Sequence, residues 1–271
     1  MSFSLVPGAP RHARPDRASF LIESCCTTLD QARSAQSRGA GRIELCTDLS
    51  VGGLTPPRDL IRSVVSSLTI PVNVLIRPEV YLSGNVSLRS TPPNAGRWAP
   101  PSYNAEGGMV SGEIYPRTKD TENSMGFSAA DFVYDEAGLQ QMIADIEYCK
   151  SVGAAGIVVG ALTPEGAIDL PAMRRLVAAA RPLPVTFHRA FDVCAEDPFT
   201  ALDKIIALNC ARLLSSGQAP TAWDGRNLLM LLVRRAGNRL VVMPGCGVTA
   251  DNLSALAAAT RAAEFHGTRI P

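Results

Sequence analysis

The chain has 271 residues, with 26 basic and 25 acidic side chains and a formal net charge of +1. That length suits one α/β barrel, which typically needs about 250 residues, and a chain of this size can bury a core without disulfides. The balanced charge excludes the basic surface of a protein that binds nucleic acid or an anionic membrane, and no apolar run is long enough to span a bilayer. We therefore expect neither nucleic acid nor a membrane among the partners.

The N-terminal residues 1–17 are rich in proline and arginine and lack the apolar core of a secretory signal. We expect them to form a disordered tail ahead of a single barrel domain over residues 18–271. The seven cysteines are odd in number and are not spaced as a disulfide framework. This pattern favours reduced thiols and a cytoplasmic location.

Short apolar segments alternate with amphipathic helices, and this order predicts an α/β fold of the TIM-type (β/α)8 barrel class. Helix starts are indicated by Thr27 or Thr28, Pro57, Asp135, Asp169, Asp197 and Thr249. The predicted strands span residues 19–24, 42–46, 72–77, 156–160, 184–188, 211–214, 239–243 and 262–266. Only seven helices accompany eight strands, so the prediction lacks the last helix of a closed barrel.

One βαβ pattern occurs twice, beginning at residues 39–43 and again at residues 153–157. In each copy a glycine ends a helix, a short strand follows, and a Leu-Thr-Pro loop leads to the next helix and strand. Internal repetition of this kind is typical of a barrel built from related halves.

Residues 79–130 do not fit the alternation, since they are rich in proline, serine, asparagine and glycine. A structureless stretch of about fifty residues is unusual inside a compact domain. We expect a long, disordered and flexible insertion after strand three, with a folded lid as the alternative.

Strands one, two and eight each end in a glutamate followed two residues later by a cysteine or a histidine. Side chains two apart on a strand share a face, and barrel closure makes strand eight the neighbour of strand one. Thiolate and imidazole ligands suit Cu(I) or Zn(II), whereas the alternative for each cysteine is a small buried apolar residue. The three pairs are Glu23 and Cys25, Glu44 and Cys46, and Glu264 and His266. Cys25, Cys46 and His266 are therefore the candidate metal ligands.

The ends of strands three and five add further charge, at Arg77 and along the run from Phe187 to Asp192. We expect His188 to point into the barrel as a general acid or base, with Asp192 orienting it or holding Arg189. Arg77 could receive an anionic ligand, and the alternative is an internal salt bridge from Arg77 to a barrel glutamate, Glu23 or Glu44. The candidate catalytic pocket comprises His188, Arg77, Glu23, Glu44, Asp192 and Glu264.

Glycine-bearing loops follow strands six and seven, and the second loop leads directly into a helix capped by Thr249. Backbone N–H groups exposed at such a position can hold an anion. The candidate anion-binding residues are Ser216, Gly217, Gly245 and Gly247.

These stretches together resemble the CutC family of copper homeostasis proteins, and the run from 184 to 192 is the most specific. The matching segments are residues 23–25, 42–46, 52–56, 76–78, 131–134, 160–164, 184–192, 216–218, 243–245 and 263–266. The resemblance implies a TIM-type barrel in the cytoplasm, a homo-oligomer and a role in copper handling. Cys25 and Cys46 fall on the two cysteines linked to Cu(I) in animal members.

The chain departs from the family pattern in three places. The insertion at 79–130 replaces a short glycine-bearing turn, and Cys246 stands where the family usually has glycine. We also expect the region that normally follows the motif ending in His266 to be absent.

Three hypotheses for function follow. The first is a copper homeostasis protein that binds Cu(I) through Cys25 and Cys46. The alternative is a TIM-barrel enzyme acting on a small anionic metabolite, and a third is a scaffold whose insertion binds a partner. The distance between the two sulfurs discriminates the copper hypothesis from the enzyme hypothesis. Linear two-coordinate Cu(I) needs its two sulfur ligands roughly 4–5 Å apart, because each Cu(I)–sulfur bond is slightly shorter than a zinc–sulfur bond and the two bonds lie in a line.

Overall fold

A computed structural model of the protein describes residues 20–78, 102–103, 109–110 and 127–270. The predicted N-terminal tail and most of the predicted insertion lie outside the described residues. The barrel strands are β1 (Leu21–Cys26), β2 (Arg42–Leu45), β3 (Val72–Leu75), β4 (Gly156–Val159), β5 (Val185–Phe187), β6 (Arg212–Ser215), β7 (Val241–Pro244) and β8 (Glu264–Gly267). The α-helices are α1 (Leu29–Ser37), α2 (Arg58–Ser67), α3 (Glu136–Ser151), α4 (Leu170–Ala180), α5 (Pro198–Ala207), α6 (Arg226–Ala236) and α7 (Ala250–Thr260).

The eight strands are parallel and follow the spatial order β8-β1-β2-β3-β4-β5-β6-β7. Strands β7 and β8 lie in contact and bring the two edges of the sheet together. The result is a nearly closed barrel with alternating helices, which confirms the predicted TIM-type architecture. Outside it, Ser102–Tyr103 and Met109–Val110 pair as a short antiparallel ladder.

The helices begin where side-chain oxygens satisfy the free N–H groups of the first turn. Thr28 accepts from the Gln31 N–H, and Asp135 accepts from the Gly138 N–H at 2.7 Å. Thr249 and Asn252 form a reciprocal capping box at the start of α7. Among the described residues, no helix has both the length and the apolar character that a membrane span requires.

Strand β2 alternates between an apolar outer face and a polar inner face. Ile43 and Leu45 of β2 are fully buried in the apolar core that includes the helices. Arg42 and Glu44 alternate with them and are also buried, which places two ionisable groups inside the barrel. Buried charges are costly unless they are paired, so the inner face carries more polarity than packing requires.

The observed strands begin and end within two residues of the predicted ones, and two corrections bear on the site. Strand β5 ends at Phe187, and His188 caps a short 3-10 helix, Arg189–Val193, that the apolar periodicity did not indicate. Residues 127–130 do not belong to a flexible insertion, because a second 3-10 helix, Ala129–Phe132, begins there. The Phe127 ring packs edge-on against the Phe132 ring at a centroid distance of 5.4 Å and joins this segment to the barrel rim.

Candidate functional site

A cavity of about 510 Å³ lies at the C-terminal ends of the strands, where TIM-type barrels carry their functional sites. Loops that follow β2, β3, β5, β7 and β8 all contribute to its wall. Its ionisable lining residues are Cys25, Glu44, Cys46, Arg77, His188, Arg189, Cys246, His266 and Arg269.

Two cysteines, one in β1 and one directly after β2, meet within this cavity. The sulfurs of Cys25 and Cys46 lie 3.4 Å apart, and both side chains are buried. This separation is shorter than the roughly 4–5 Å expected for linear Cu(I) and much longer than a disulfide bond of about 2.05 Å. The hydrogen bond with Cys46, together with burial and the nearby Glu44, raises the pKa of Cys25 well above its ordinary value.

A three-residue cluster of potential metal ligands includes only one of these cysteines. One ligand atom each from Cys25, Glu44 and His266 can be chosen so that all lie within 4.8 Å of one another. The strand register explains the cluster, because Cys25 is paired with Glu44 across β1 and β2. Cys46 was predicted as a ligand beside Cys25 and His266, but in the structure it approaches this cluster through its contact with Cys25.

The Glu44 carboxyl group is buried, and its Oε2 has no hydrogen-bond partner among the described residues. Nδ1 of His266 lies 3.5 Å from that oxygen. Burial and the negative charge of Glu23 raise the pKa of Glu44 to about 7, although His266 opposes the shift. Burial lowers the pKa of His266, but Glu44 and Glu23 outweigh it and the net shift is upward.

Glu23 and Glu264 do not line the cavity, which corrects their predicted place in a catalytic pocket. Glu23 is fully buried and accepts hydrogen bonds from Arg42, from Asn73 at 3.2 Å, and from His266. Arg42 and Glu264 are the first residues of β2 and β8, at the end of the barrel opposite the cavity. Glu264 pairs there with Arg42 and with Arg212, so these charges form an internal salt-bridge network.

This network holds Glu23 ionised. Burial alone would raise the pKa of Glu23, but the hydrogen bond and charge of His266, reinforced by Arg42, lower it to about 2. Arg42, the central partner in this network, was not among the predicted site residues. The sequence feature that could have identified Arg42 is its position two residues before Glu44, which places both side chains on the inner face of the strand.

Arg77 does not pair with Glu23 or Glu44 as the salt-bridge alternative supposed. Its Nη1 donates to the carbonyl oxygens of Val51 at 2.7 Å and Gly53 at 3.0 Å, and its guanidinium lies over the Phe132 ring. Asp131 approaches it at 3.9 Å. Burial lowers the pKa of Arg77, and the group stays positively charged at the cavity wall.

His188 is buried beside Arg77, and the centroid of its ring lies 4.9 Å from that of Phe132. Its Nδ1 accepts a hydrogen bond from the Ala190 N–H at 3.2 Å, while its Nε2 has no partner among the described residues. Burial, with the positive charges of Arg77 and Arg189, lowers the pKa of His188 to about 3. The imidazole is therefore neutral at physiological pH.

Of the two roles predicted for Asp192, the structure shows that it holds Arg189. The fully buried Asp192 carboxylate accepts from the Arg189 Nε at 2.8 Å. It also accepts from the Ser215 hydroxyl at 2.6 Å and from the Ser216 N–H at 2.9 Å. One carboxylate thereby joins the loop after β5 to the loop after β6.

The predicted anion-binding loops are corrected by these contacts. The N–H of Ser216 donates to Asp192, that of Gly217 to the Ser215 hydroxyl at 2.8 Å, and that of Gly245 to the Ser215 carbonyl at 3.0 Å. These three donors are satisfied within the protein and are not available to an anion. Gly247 differs, because it lines the cavity.

Comparison with known proteins gives one consistent result. The CutC family model matches residues 20–87 and 127–270. The family protein CutC of Parabacteroides distasonis is 39% identical over 247 residues, covering 91% of this chain and 81% of that protein. The family protein CutC of Xanthomonas campestris pv. campestris (strain 8004) is 38% identical over 247 residues, covering 91% and 82%.

Among solved structures, a Streptococcus agalactiae chain described as a copper homeostasis protein CutC aligns with a TM-score of 0.70 and 29% identity. The alignment covers 93% of this chain and all of that one. The family model extends over most of the sequence, and the relatives match it along more than two thirds of their length. The chain is therefore a member of the CutC family.

Proposed function

We propose that this protein acts in copper homeostasis and binds Cu(I) as its cargo between the thiolates of Cys25 and Cys46. The S. agalactiae relative is described as a copper homeostasis protein. The observation that carries the proposal is the approach of the two sulfurs to 3.4 Å within a cavity at the strand ends. Soft thiolate ligands favour Cu(I) over hard cations such as Mg²⁺ or Ca²⁺.

The geometry fits the ion after a small adjustment. Two Cu(I)–sulfur bonds in a line need a separation of roughly 4–5 Å, so the sulfurs must move apart by about 1 Å in total. Rotation about the Cα–Cβ bond of each cysteine supplies a movement of this size without a change in the backbone. Both thiols must lose their protons on binding, because the thiolate is the ligand.

His266 can complete the site as a third ligand. Its Nδ1 is held by Glu23 at 2.9 Å, which leaves Nε2 as the nitrogen for a metal. A carboxylate behind a ligating histidine is a recurrent arrangement that fixes the ring and raises its basicity. Glu44 offers oxygen, a harder ligand that Cu(I) does not favour.

Anaerobic titration with Cu(I) against a chromophoric chelator tests the proposal. We expect about one Cu(I) per chain and its loss in the Cys25→Ser, Cys46→Ser double variant. Cys246→Ser is the matched control, because Cys246 lines the same cavity but its thiol donates to the Pro220 carbonyl at 3.2 Å. An unchanged stoichiometry in a folded double variant would falsify the copper site.

Cytoplasmic residence and homo-oligomer formation belong to the same proposal. The support is the cysteine pattern for the first and the resemblance to the family for the second. Fractionation of the source cells and sedimentation equilibrium of the full chain test them separately.

A further inference from the structure

His188 presents a buried hydrogen-bond donor for which the described residues supply no acceptor. Its Nδ1 accepts from the Ala190 N–H, so in the neutral ring the proton resides on Nε2. That Nε2 is inaccessible to solvent, and only 5% of the His188 surface is exposed. Buried donors are nearly always paired in folded proteins, and His188 is a lining residue of the cavity, so its unpaired donor indicates a ligand that reaches Nε2 when the side chains covering that atom shift.

Two arginines flank this imidazole. Arg77 and Arg189 both act on His188 through their positive charge and both line the cavity. Their positions are fixed without a ligand, Arg77 by the backbone carbonyls of residues 51 and 53, and Arg189 by Asp192. Groups held in this way are organised before a ligand arrives.

From this geometry we propose that the cavity binds a small oxyanion, as a carboxylate or phosphate group, whose oxygen accepts the Nε2–H of His188 between Arg77 and Arg189. The proposal is independent of copper, since it uses neither Cys25 nor Cys46. It assigns His188 as a neutral donor, whereas the sequence analysis expected a general acid or base. Burial lowers the pKa of His188 to about 3, so the ring remains a neutral donor throughout the physiological range.

The mouth of the cavity favours a ligand with a second acidic group. Thr268 and Arg269 follow β8, are exposed and line the cavity, and Arg269 forms a backbone bridge with Thr249 of the neighbouring loop. The loops after the last two strands are a frequent phosphate site in TIM-type barrels. A volume of about 510 Å³ suits a metabolite-sized dicarboxylate or phosphorylated acid.

Acidic groups near the site offset part of the positive charge of the two arginines. Asp131 faces Arg77, Asp192 lies behind Arg189, and Glu44 lines the cavity wall. The net positive charge at the site is therefore small. The unpaired N–H donor of His188 then determines which anions bind. Anions that cannot accept a directed hydrogen bond should bind no better than background.

Calorimetric titration with inorganic phosphate and with malonate, at fixed ionic strength, tests the proposal. We expect saturable binding of at least one probe, and which one binds identifies the acidic group. On ¹⁵N-labelled protein, the Nε2–H signal of His188 should move with the same saturation curve. If neither probe binds saturably, or if that signal stays fixed while one binds, the proposal is overturned.

Two substitutions at position 188 test the two ring nitrogens separately. His188→Asn keeps an acceptor near the position of Nδ1 and removes the Nε2 donor, whereas His188→Gln restores an N–H donor near Nε2. We expect the asparagine variant to lose at least about tenfold in affinity, as for a lost hydrogen bond to a charged acceptor, and the glutamine variant to lose less. Equal affinity in wild type and the asparagine variant would contradict the proposal.

Arg269→Ala should weaken binding, and Arg174→Ala is its matched control because Arg174 is an exposed arginine on α4 outside the cavity. Circular dichroism establishes that each variant is folded. If the His188 variants do not fold, the wild-type Nε2–H signal alone decides the question. The Cys25→Ser, Cys46→Ser variant separates the two proposals, since it should lose copper and keep the oxyanion.

Discussion

Nδ1 of His266 lies 2.9 Å from Oε1 of Glu23, a carboxylate with no exposed surface. The two residues are register partners across β1 and β8, so the closure of the barrel itself brings them together. Arg42 and Asn73 donate to the other oxygen of the same carboxylate. Glu23 therefore orients the imidazole of His266, which lines the cavity, although Glu23 itself lies deeper in the barrel.

Glu23→Gln tests how much this arrangement stabilises the fold. The substitution leaves the buried Arg42 guanidinium beside a neutral amide, while Glu264 remains as its ion-pair partner. Leaving a buried charge with no partner typically costs about 3–5 kcal/mol, so we expect the free energy of unfolding to fall by less than this but by more than the roughly 1 kcal/mol of an exposed pair. Urea denaturation, followed by circular dichroism at pH 7, measures it.

The matched control is Glu147→Gln, which removes a surface carboxylate paired with Lys150 at 3.1 Å. Exposed pairs contribute at most about 1 kcal/mol, so this variant should unfold close to wild type. Similar losses in both variants would show that the buried network does not contribute as described.

A second prediction concerns the pH dependence of stability. Burial and Glu23 raise the pKa of Glu44 from 4.5 to about 7 in the folded protein. Between these values the folded state holds a proton that the unfolded state has released, so stability falls as pH rises through this window. A shift of this size corresponds to about 3 kcal/mol at most. The raised pKa of His266 acts in the same direction, because its contribution is present below 6.5 and is lost as pH rises.

Glu44→Gln should remove much of this dependence. We expect the free energy of unfolding of wild type to be lower at pH 7.5 than at pH 5. The free energy of unfolding of Glu44→Gln should fall by less over the same interval. Equilibrium unfolding in urea at both pH values provides the comparison. Glu147→Gln should retain the wild-type slope, and an equally steep slope in Glu44→Gln would argue against a raised pKa at this carboxyl group.

The sequence predicted which residues lie at the site more completely than it predicted which of them pair with one another. The Glu-x-Cys and Glu-x-His pairs placed Cys25, Cys46 and His266 on inward faces of neighbouring strands, because parity and barrel closure follow from local pattern. Which charges pair depends on strand register, which the pattern does not specify. Arg42 therefore went unrecognised between Glu23 and Glu264, although both partners were candidates.

The loops show the same limit. The apolar pattern ends at Phe187, so the 3-10 helix after it and the bond from the Ala190 N–H to His188 could not be predicted. Glycines at 217 and 245 suggested exposed N–H groups. Their amides are instead satisfied by Ser215, through its hydroxyl two residues before Gly217 and through its carbonyl across the sheet from Gly245. The second of these is a long-range contact that no local spacing reveals.

The requirement for glycine at position 217 is steric, and this gives the last prediction. Gly217 has a φ of +72°, and a Cβ there would lie 2.4 Å from the carbonyl oxygen of Gly225, a backbone atom that cannot easily move. Gly217→Ala should lose about 1–2 kcal/mol from the left-handed conformation and a further 1–3 kcal/mol from the overlap. Gly39→Ala is the control, because Gly39 also has a positive φ of +98° but no atom lies within 4 Å of its Cβ position. Thermal unfolding of both variants should show the larger decrease in Tm for position 217, with faster hydrogen exchange at Ser216 and Gln218. Equal decreases would mean that backbone conformation alone, without contact with Gly225, selects glycine at this loop.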